Sequence, residues 1–232
     1  MGDEAASPNI DAVLDEFLAA QEKRLAPRTF RNYADVVYLL RDCLNGYGHQ
    51  SLDPAEREQW EAAFDDDEEA FAHVFGPEKI AENLGEFLDY FMIRKVMAGE
   101  ELLRAAGTVT KKLARWLGER GYLDAGAVEV AVERGADAAR DLPKAEKLSR
   151  LLFEQSNTST IDVHALDDDD YVEDYLMIDR VELGVLWFEG GIGPVKVPKA
   201  ASDIAQPGWS VNIVLGRAGK TWHVIEVGNV YP

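Results

Sequence analysis

The chain has 232 residues, 47% of them hydrophobic, which is enough to bury the core of one large domain or two modest ones. Its formal net charge is -19, and Cys43 is its only cysteine, which excludes an intramolecular disulfide and any multi-cysteine metal site. No apolar run approaches the roughly 18 to 20 residues that cross a bilayer, so no membrane partner is expected. The N-terminal Met1-Gly2-Asp3-Glu4 is acidic and leads into no hydrophobic signal region, which favours a cytoplasmic protein.

The acidic residues are concentrated in two stretches of the chain. Residues 48–90 hold 13 acids and 2 bases, and residues 126–170 hold 11 acids and 5 bases. By contrast, residues 8–47 hold 6 acids and 5 bases, and residues 91–125 hold 4 acids and 7 bases. Salt screens charges over roughly 8 to 10 Å, so the local charge governs binding more than the total does. The two nearly neutral stretches leave nucleic-acid binding open.

Residues 1–155 show helical periodicity and are predicted to form a helical domain. An amphipathic helix is expected over residues 9–24, and a second one begins at Pro27 and ends in a glycine cap at residues 45–48. Residues 49–78 are less regular and are interpreted as an acidic insertion. Its aromatic residues could line one helical face: Trp60, Phe64, Phe71 and Phe75.

The second half of this domain is predicted to hold further helices. The helical pattern returns over residues 80–103, and Thr108 is expected to cap a helix that Gly121 ends. Residues 125–155 are predicted to form two helices, separated at Pro143 because proline disrupts a helix interior.

Beyond an acidic linker at residues 156–170, the hydrophobic period changes to that of β-strands. Turns are expected at Gly190-Gly191 and around Gly219-Lys220. The strands are predicted at residues 171–178, 181–189, 192–197, 209–215 and 222–227, with a short helix at 199–205 between the third and fourth. This order is typical of an oligonucleotide/oligosaccharide-binding (OB) barrel. The predicted fold class is therefore α+β and multidomain, an all-α bundle followed by a small all-β barrel at residues 171–232.

Two segments of the first domain resemble a known DNA-binding module. They are LDEFL with LAPRTFRNY, at residues 14–18 and 25–33, and AGTVTKKLARWL with GYL, at residues 106–117 and 121–123. They resemble the SAM-like N-terminal core-binding domain of tyrosine recombinases and phage integrases. The resemblance implies a helical bundle that clamps one side of a DNA duplex. The catalytic domain of that family is not expected here, because none of the four histidines has an arginine three residues later. No catalytic residue is assigned, and the chain is predicted not to be an enzyme.

The second domain loosely resembles small RNA-binding OB-type barrels. The segments that carry this resemblance are GPVKVP at residues 193–198 and QPGWSV at residues 206–211. Such barrels bind single strands by aromatic stacking beside a basic groove. The resemblance makes Trp209, Trp222 and Lys220 candidate nucleic-acid-binding residues.

A basic set on two helices is the other candidate nucleic-acid site. At about 100° per residue, Lys111 and Arg115 fall opposite the apolar stripe of their helix, with Lys112 to one side. Arg28 and Arg31 are expected on a matching exposed flank of the second helix. One reading of this set is a clamp on the phosphate backbone, and the other is an ordinary solvated face.

Two further motifs are assigned to structural roles. Gly219-Lys220-Thr221 lacks the glycine and the following helix of a phosphate loop and is predicted to be a hairpin turn. The acidic runs at 65–69 and 167–170 lack the ligand spacing of a calcium loop and are expected to be solvated surface. Neither a metal ion nor a cofactor is predicted.

Two functions remain open at the level of the sequence, and an enzyme whose site is too dispersed to recognise in one sequence comes third. The first is a non-catalytic protein that binds DNA or RNA through the helical domain, or acts as a scaffold. The alternative is a protein–protein adaptor whose acidic surface contacts a basic partner. A contiguous positive surface would favour the first function, and a neutral or acidic one would favour the second.

Overall fold

The structure is a computed structural model that describes residues 8–159, 161, 163 and 166–232. It divides into two compact units, Met1–Ala139 and Arg140–Pro232. Among these residues, the helical region ends at residue 156 and the strands, with one short helix between β3 and β4, follow residue 170, so the predicted order of a helical region and a β-barrel is confirmed. The division falls earlier than the predicted acidic linker. The acidic N-terminus and part of the linker, including His164, lie outside the described residues.

The helical unit is built from helices of very different lengths. They are α1 (Ile10–Glu22), α2 (Pro27–Tyr47), α3 (Pro54–Phe64), α4 (Ala70–Val74), α5 (Glu78–Glu82), a π-helical turn (Glu86–Phe91), α6 (Met92–Arg94), α7 (Glu100–Glu119) and the first part of α8 (Ala125–Ser156).

The first two helices form as their sequence predicts. Asn9 caps α1 by accepting the Ala12 N–H, and Pro27 occupies the first turn of α2, where its missing N–H is not needed. The predicted stripe of α2 is buried at its centre, where Val37 and Leu40 are 0% and 1% exposed. The α2 helix does not end in a left-handed glycine, since Gly48 has φ -55° and continues into a 3-10 turn.

A close contact explains the glycine at this point. A Cβ on Gly48 would lie 2.6 Å from the ring of Phe71 on α4, so any side chain there would displace the ring. Gly48 therefore allows α4 to pack tightly against the end of α2.

The boundaries of α7 differ from the prediction. The helix begins at Glu100, after Gly99, and Thr108 lies inside it and donates a hydrogen bond to the Arg104 carbonyl. Thr108 is therefore not a cap. The continuous helical pattern expected over residues 80–103 is also interrupted, because residues 95–99 are not helical.

Residues 125–156 form one helix, where two were predicted. Pro143 lies inside α8 and cannot donate a hydrogen bond to the Ala139 carbonyl. The helix continues through this defect, and the chain divides into its two compact units at the same residue, Ala139.

The second unit contains the remainder of α8 and a closed five-stranded barrel. The strand order around the barrel is β1-β2-β3-β5-β4, with β3 and β5 parallel and the other neighbours antiparallel. The strands are β1 (Tyr171–Glu182), β2 (Val185–Phe188), β3 (Ile192–Lys196), β4 (Ser210–Ala218) and β5 (Thr221–Tyr231), and α9 (Lys199–Ser202) lies between β3 and β4. The predicted sequence of three strands, a short helix and two strands is confirmed.

Alternate residues of the strands fill the barrel, and one side of α8 completes its core. Leu148 and Leu152 of α8 are both 0% exposed and belong to the same hydrophobic cluster as Phe188 and Leu215. Ser149 also donates a hydrogen bond of 2.7 Å to the Gly228 carbonyl of β5. The residues from Arg140 to Ser156 therefore belong to the barrel unit, although their sequence gives a helical pattern that favours the first domain.

Two of the three hairpin turns lie where they were predicted. Gly190 and Gly191 both have positive φ between β2 and β3, and Gly219 has φ +65° between β4 and β5. The Gly219-Lys220 turn is thus confirmed. The first strand was predicted to end at residue 178 and the second to begin at 181, but β1 continues to Glu182, and Arg180 pairs with Trp187 of β2. In the part of the chain that is described, no helix is both long and apolar enough to cross a membrane.

Candidate binding cleft

The structure places Arg28, one of the basic residues predicted on α2, beside an acidic residue of α7. The Arg28 Nη2 atom lies 3.2 Å from Glu101 Oε1 near the start of α7, so a carboxylate accompanies this arginine. Glu101 precedes Lys111 by ten residues, which is about 15 Å along the helix axis. Arg31 and Arg115 are exposed. The structure therefore brings Arg28 to an acidic residue and away from the α7 lysines.

The α7 face that carries Lys111 is covered by α8. A Cβ on Gly135 of α8 would lie 2.7 Å from the Lys111 amide nitrogen, so the two backbones are in close contact there. Lys111 and Lys112 are half-buried. The prediction of a freely exposed face at Lys111 was wrong, because small residues allow α8 to pack on it.

The tryptophans assigned to a stacking role in the barrel are buried. Trp209 and Trp222 are 5% and 6% exposed and belong to the barrel core. The guanidinium of Arg217 lies 5.3 Å from the centre of the Trp222 ring and also bonds to Asp170. These rings are therefore closed to a stacked base. Lys220 is exposed in the β4–β5 turn, as predicted.

The helical unit instead carries an open cleft of about 900 Å³ beside α2 and α3. One wall is a face of α2, and the other is the end of α3 with the loop that follows it. The lining residues are Tyr38, Arg41, Asp42, Asn45, Gly46, His49, Trp60, Phe64, Asp65, Glu68 and Glu69. This cleft lies partly in the stretch interpreted from sequence as an acidic insertion.

The α3 wall is held in place by its first turn. Asp53 and Glu56 form a capping box in which each side chain accepts a hydrogen bond from the backbone of the other. Glu56 also binds Lys79 of α5, 2.7 Å away, and Lys79 is only 7% exposed. Burial alone would lower the pKa of Lys79, but hydrogen bonds to Glu56 and Glu82 raise it above its ordinary value. This charged anchor fixes the helix that carries the aromatic wall.

The acidic loop between α3 and α4 is held by Asp67. Its carboxylate accepts the Glu69 N–H at 2.9 Å and lies 2.6 Å from His73 Nδ1 on α4. The hydrogen bond to Asp67 raises the pKa of His73, and the same bond lowers the pKa of Asp67. α4 itself is attached to α2, where Asn45 accepts the Ala72 N–H. The hydrogen bonds of Asp67 and the attachment of α4 to α2 thus fix the loop that places Glu68 and Glu69 at the edge of the cleft.

Three aromatic rings lie side by side along the α3 side of the cleft. His49 and Trp60 are parallel, with ring centres 4.7 Å apart, and Phe64 lies 4.8 Å from Trp60. Trp60 and Phe64 share one face of α3, as residues four apart do. Phe64 is 40% exposed and Tyr38, across the cleft on α2, is 68% exposed. The cleft therefore offers aromatic surface to a ligand.

The charge in the cleft is strongly negative. Four of its lining side chains are carboxylates: Asp42, Asp65, Glu68 and Glu69. The one lining arginine, Arg41, is bound to Asp11 and Asp15 of α1 at 2.7 Å each. Burial, and secondarily the charge of Arg57, lowers the pKa of His49, which favours its neutral form. Neither basic group offsets the four carboxylates.

Part of this cleft is visible in the sequence as polar and aromatic residues at helical spacing. Tyr38, Arg41, Asp42 and Asn45 recur at three- and four-residue steps on α2, beside the buried stripe. Trp60 and Phe64 repeat on α3, in which no residue is fully buried. Large aromatic residues on a helix with no buried face indicate a binding surface. Only tertiary structure brings the two helices together.

Comparison with protein families, with curated proteins and with solved structures gave no match for this chain. Within the described ranges, no group of three or more His, Cys, Asp or Glu side chains could hold a metal ion. The fold and site together define a helical unit with an acidic, aromatic cleft, followed by a closed five-stranded barrel.

Proposed function

We propose that this chain is a non-catalytic binding protein whose cleft takes a basic segment of a partner protein. The observation that carries the proposal is an open cleft of about 900 Å³ lined by four carboxylates. A positively charged segment would find complementary charge there, and such complementarity accelerates association and excludes acidic partners. The proposal requires neither a metal ion nor a cofactor.

The apolar surface of the cleft supports the same function. The α3 helix has no fully buried residue, and Phe64 and Tyr38 expose 40% and 68% of their surface. Aromatic residues are enriched in protein interfaces, where they contribute area at a small cost in side-chain entropy. Carboxylates beside exposed rings fit the chemistry of a basic peptide.

Binding of a lysine-bearing peptide tests this function directly. A labelled peptide of alternating glycine and lysine should bind at low salt and be released as salt is raised. The double variant Asp65→Asn/Glu68→Gln should weaken binding about twofold to thirtyfold, because each of the two exposed ion pairs contributes about 0.2–1 kcal/mol. Fluorescence anisotropy measures both effects.

A matched control separates the cleft from net charge. The variant Glu129→Gln/Glu133→Gln removes two exposed carboxylates of α8 that do not line the cleft. In the same assay, this variant should change the affinity for the peptide by less than about twofold. If both double variants weaken binding equally, the peptide is attracted by overall charge, and the cleft is not its site.

Nucleic-acid binding is the competing proposal. The strand order β1-β2-β3-β5-β4, with α9 between β3 and β4, supports an OB-like barrel. The likeness of the first unit to the SAM-like domain of recombinases stays a prediction. Against this function stand the burial of Trp209 and Trp222 and the pairing of Arg28 with Glu101. We therefore place it second.

A mobility-shift assay distinguishes the two proposals. The cleft proposal predicts no shift of duplex or single-stranded DNA or RNA at low salt, and no nicking of supercoiled plasmid. If a shift appears and Arg31→Glu/Arg115→Glu abolishes it, the helical unit binds phosphates and the ranking is reversed. Both arginines are exposed, so this variant should keep its fold.

A further inference from the structure

The protein repeatedly satisfies its own arginines with an aromatic ring and a carboxylate together. The guanidinium of Arg120 lies 4.9 Å from the centre of the Trp116 ring, and the same side chain pairs with Glu16. Arg180 lies 4.5 Å from the Trp187 ring and 3.3 Å from Glu182.

A third arginine has the same two kinds of partner. Arg217 lies 5.3 Å from the centre of the Trp222 ring and 2.6 Å from Asp170. In all three cases the guanidinium lies over a ring and beside a carboxylate. A planar guanidinium can place one face on a ring while its edge meets a carboxylate, which a compact ammonium group cannot do.

The cleft contains the same two kinds of group, exposed aromatic rings and carboxylates, but its own arginine is bound elsewhere. Tyr38 and Phe64 expose ring surface, and Asp42 and Asp65 follow on the same two walls. The lining arginine, Arg41, is held at 2.7 Å by Asp11 and Asp15. The aromatic and acidic groups are therefore available to a guanidinium from outside the chain.

Resting on the proposed function, we infer that the basic segment bound in the cleft carries arginine, and that the cleft selects arginine over lysine. Tyr38 and Phe64 stack on the guanidinium plane, and the carboxylates of Asp42 and Asp65 accept its N–H groups. Lysine satisfies the charge but not the stacking, since its ammonium is compact and strongly hydrated.

Two peptides of equal length and charge test the selection. One alternates glycine with arginine and the other alternates glycine with lysine, and their affinities for the full chain are measured by anisotropy at low and at physiological salt. The arginine peptide should bind about fivefold to tenfold more tightly, which is the size of one to two exposed cation–π contacts. The difference should persist at the higher salt, because stacking is screened less than charge.

Removing the rings should remove the preference. The variant Tyr38→Leu/Phe64→Leu keeps the carboxylates, so it should bind both peptides with the affinity of the lysine peptide. Because Phe64 also contacts Trp60, Tyr38→Leu alone provides a second variant, which should lose part of the preference. The control Phe153→Leu removes a ring that is 54% exposed in the barrel unit and should leave the preference unchanged.

The outcomes separate this inference from the proposed function. If neither peptide binds at low salt, the basic-segment function fails and the inference fails with it. If both peptides bind equally well and Asp65→Asn/Glu68→Gln weakens both, the function stands and arginine selection is overturned. Selection is also overturned if the preference survives the loss of both rings.

Discussion

The ion pair between Asp67 and His73 holds the acidic loop of the cleft, and its strength depends on pH. The hydrogen bond to Asp67 raises the pKa of His73 above 6.5, and the nearby charges of Asp11 and Glu69 act in the same direction. A raised histidine pKa stabilises the fold below the ordinary value and loses this contribution as pH rises through the raised value. The lowered pKa of Asp67 stabilises the fold above 3.8 and loses its contribution as pH falls through the lowered value. The loop is therefore held best between about pH 4 and 6.5.

Replacing one carboxylate should change the titration of His73. In Asp67→Asn the hydrogen-bonding anion is lost, so the pKa of His73 should fall, as followed by its ring resonances in an NMR titration. The neighbouring variant Asp66→Asn is the control and should leave the pKa of His73 nearly unchanged. If the pKa of His73 fell equally in both variants, the overall negative charge of the loop, and not the ion pair with Asp67, would set it.

At the level of elements, the crossing of α7 and α8 depends on two glycines. A Cβ on Gly107 would meet the backbone of Ala139 and of Gly135, and a Cβ on Gly135 would meet the backbone of Gly107 and Lys111. Backbone atoms cannot move aside as a flexible side chain can. The small residues therefore allow the two helices to pack at short distance, and this packing covers the face that the sequence indicated as basic.

Adding a methyl group should have opposite effects at two helical glycines. Gly107→Ala should lower the free energy of unfolding by about 1–3 kcal/mol, because it overpacks the crossing. The new Cβ of Gly46→Ala on α2 meets no atom within 4 Å. This substitution should raise the free energy of unfolding by about 0.4–1 kcal/mol, because it reduces the conformational entropy of the unfolded chain. Urea denaturation followed by circular dichroism measures both. Equal effects of the two substitutions would contradict the close crossing.

At the scale of the whole molecule, the second half of α8 is part of the barrel unit. Leu148 and Leu152 are fully buried in the cluster that contains the strands, and Gln155 donates to the Lys196 carbonyl at 2.7 Å. A small barrel closes on limited apolar area, so two buried leucines are a substantial part of its core.

Two fragments of the chain test whether the second half of α8 stabilises the barrel. Residues 140–232 should fold cooperatively, whereas residues 157–232 should be less stable by about 3–6 kcal/mol, since full burial of a leucine contributes about 1.5–3 kcal/mol. Thermal unfolding monitored by tryptophan fluorescence compares the two fragments. Equal midpoints would mean that the helix is dispensable to the barrel.

Much of the fold could be predicted from sequence, because periodicity is a local property. The spacing of Val37, Leu40 and Leu44 predicted the buried face of α2, and all three are at most 1% exposed. The change to a period of two predicted the strands beyond residue 170, and paired or turn-forming glycines predicted two of the hairpins.

The errors share a physical cause. Pro143 predicted a break, but the helix continues through the lost hydrogen bond. Side chains on both sides of the proline are buried in the cores of the two units and hold the helix in place: Ala131, Ala138, Leu148 and Leu152. Lys111 was expected on a free face, and Trp222 on a binding surface, but α8 covers the first and Arg217 the second. A local pattern indicates which residues could be exposed, whereas the packing of distant elements decides which of them are.

The same distinction applies to the candidate site. The sequence by itself determined a helical region followed by a barrel and the acidic character of residues 48–90, because composition and period are written along the chain. Tertiary structure alone decided that Tyr38 of α2 and Phe64 of α3 share one cleft with carboxylates from the following loop. It also decided that Arg41 is bound to α1 and that Trp209 is closed inside the barrel. These outcomes depend on contacts between residues far apart in the chain, to which hydrophobic periodicity is insensitive.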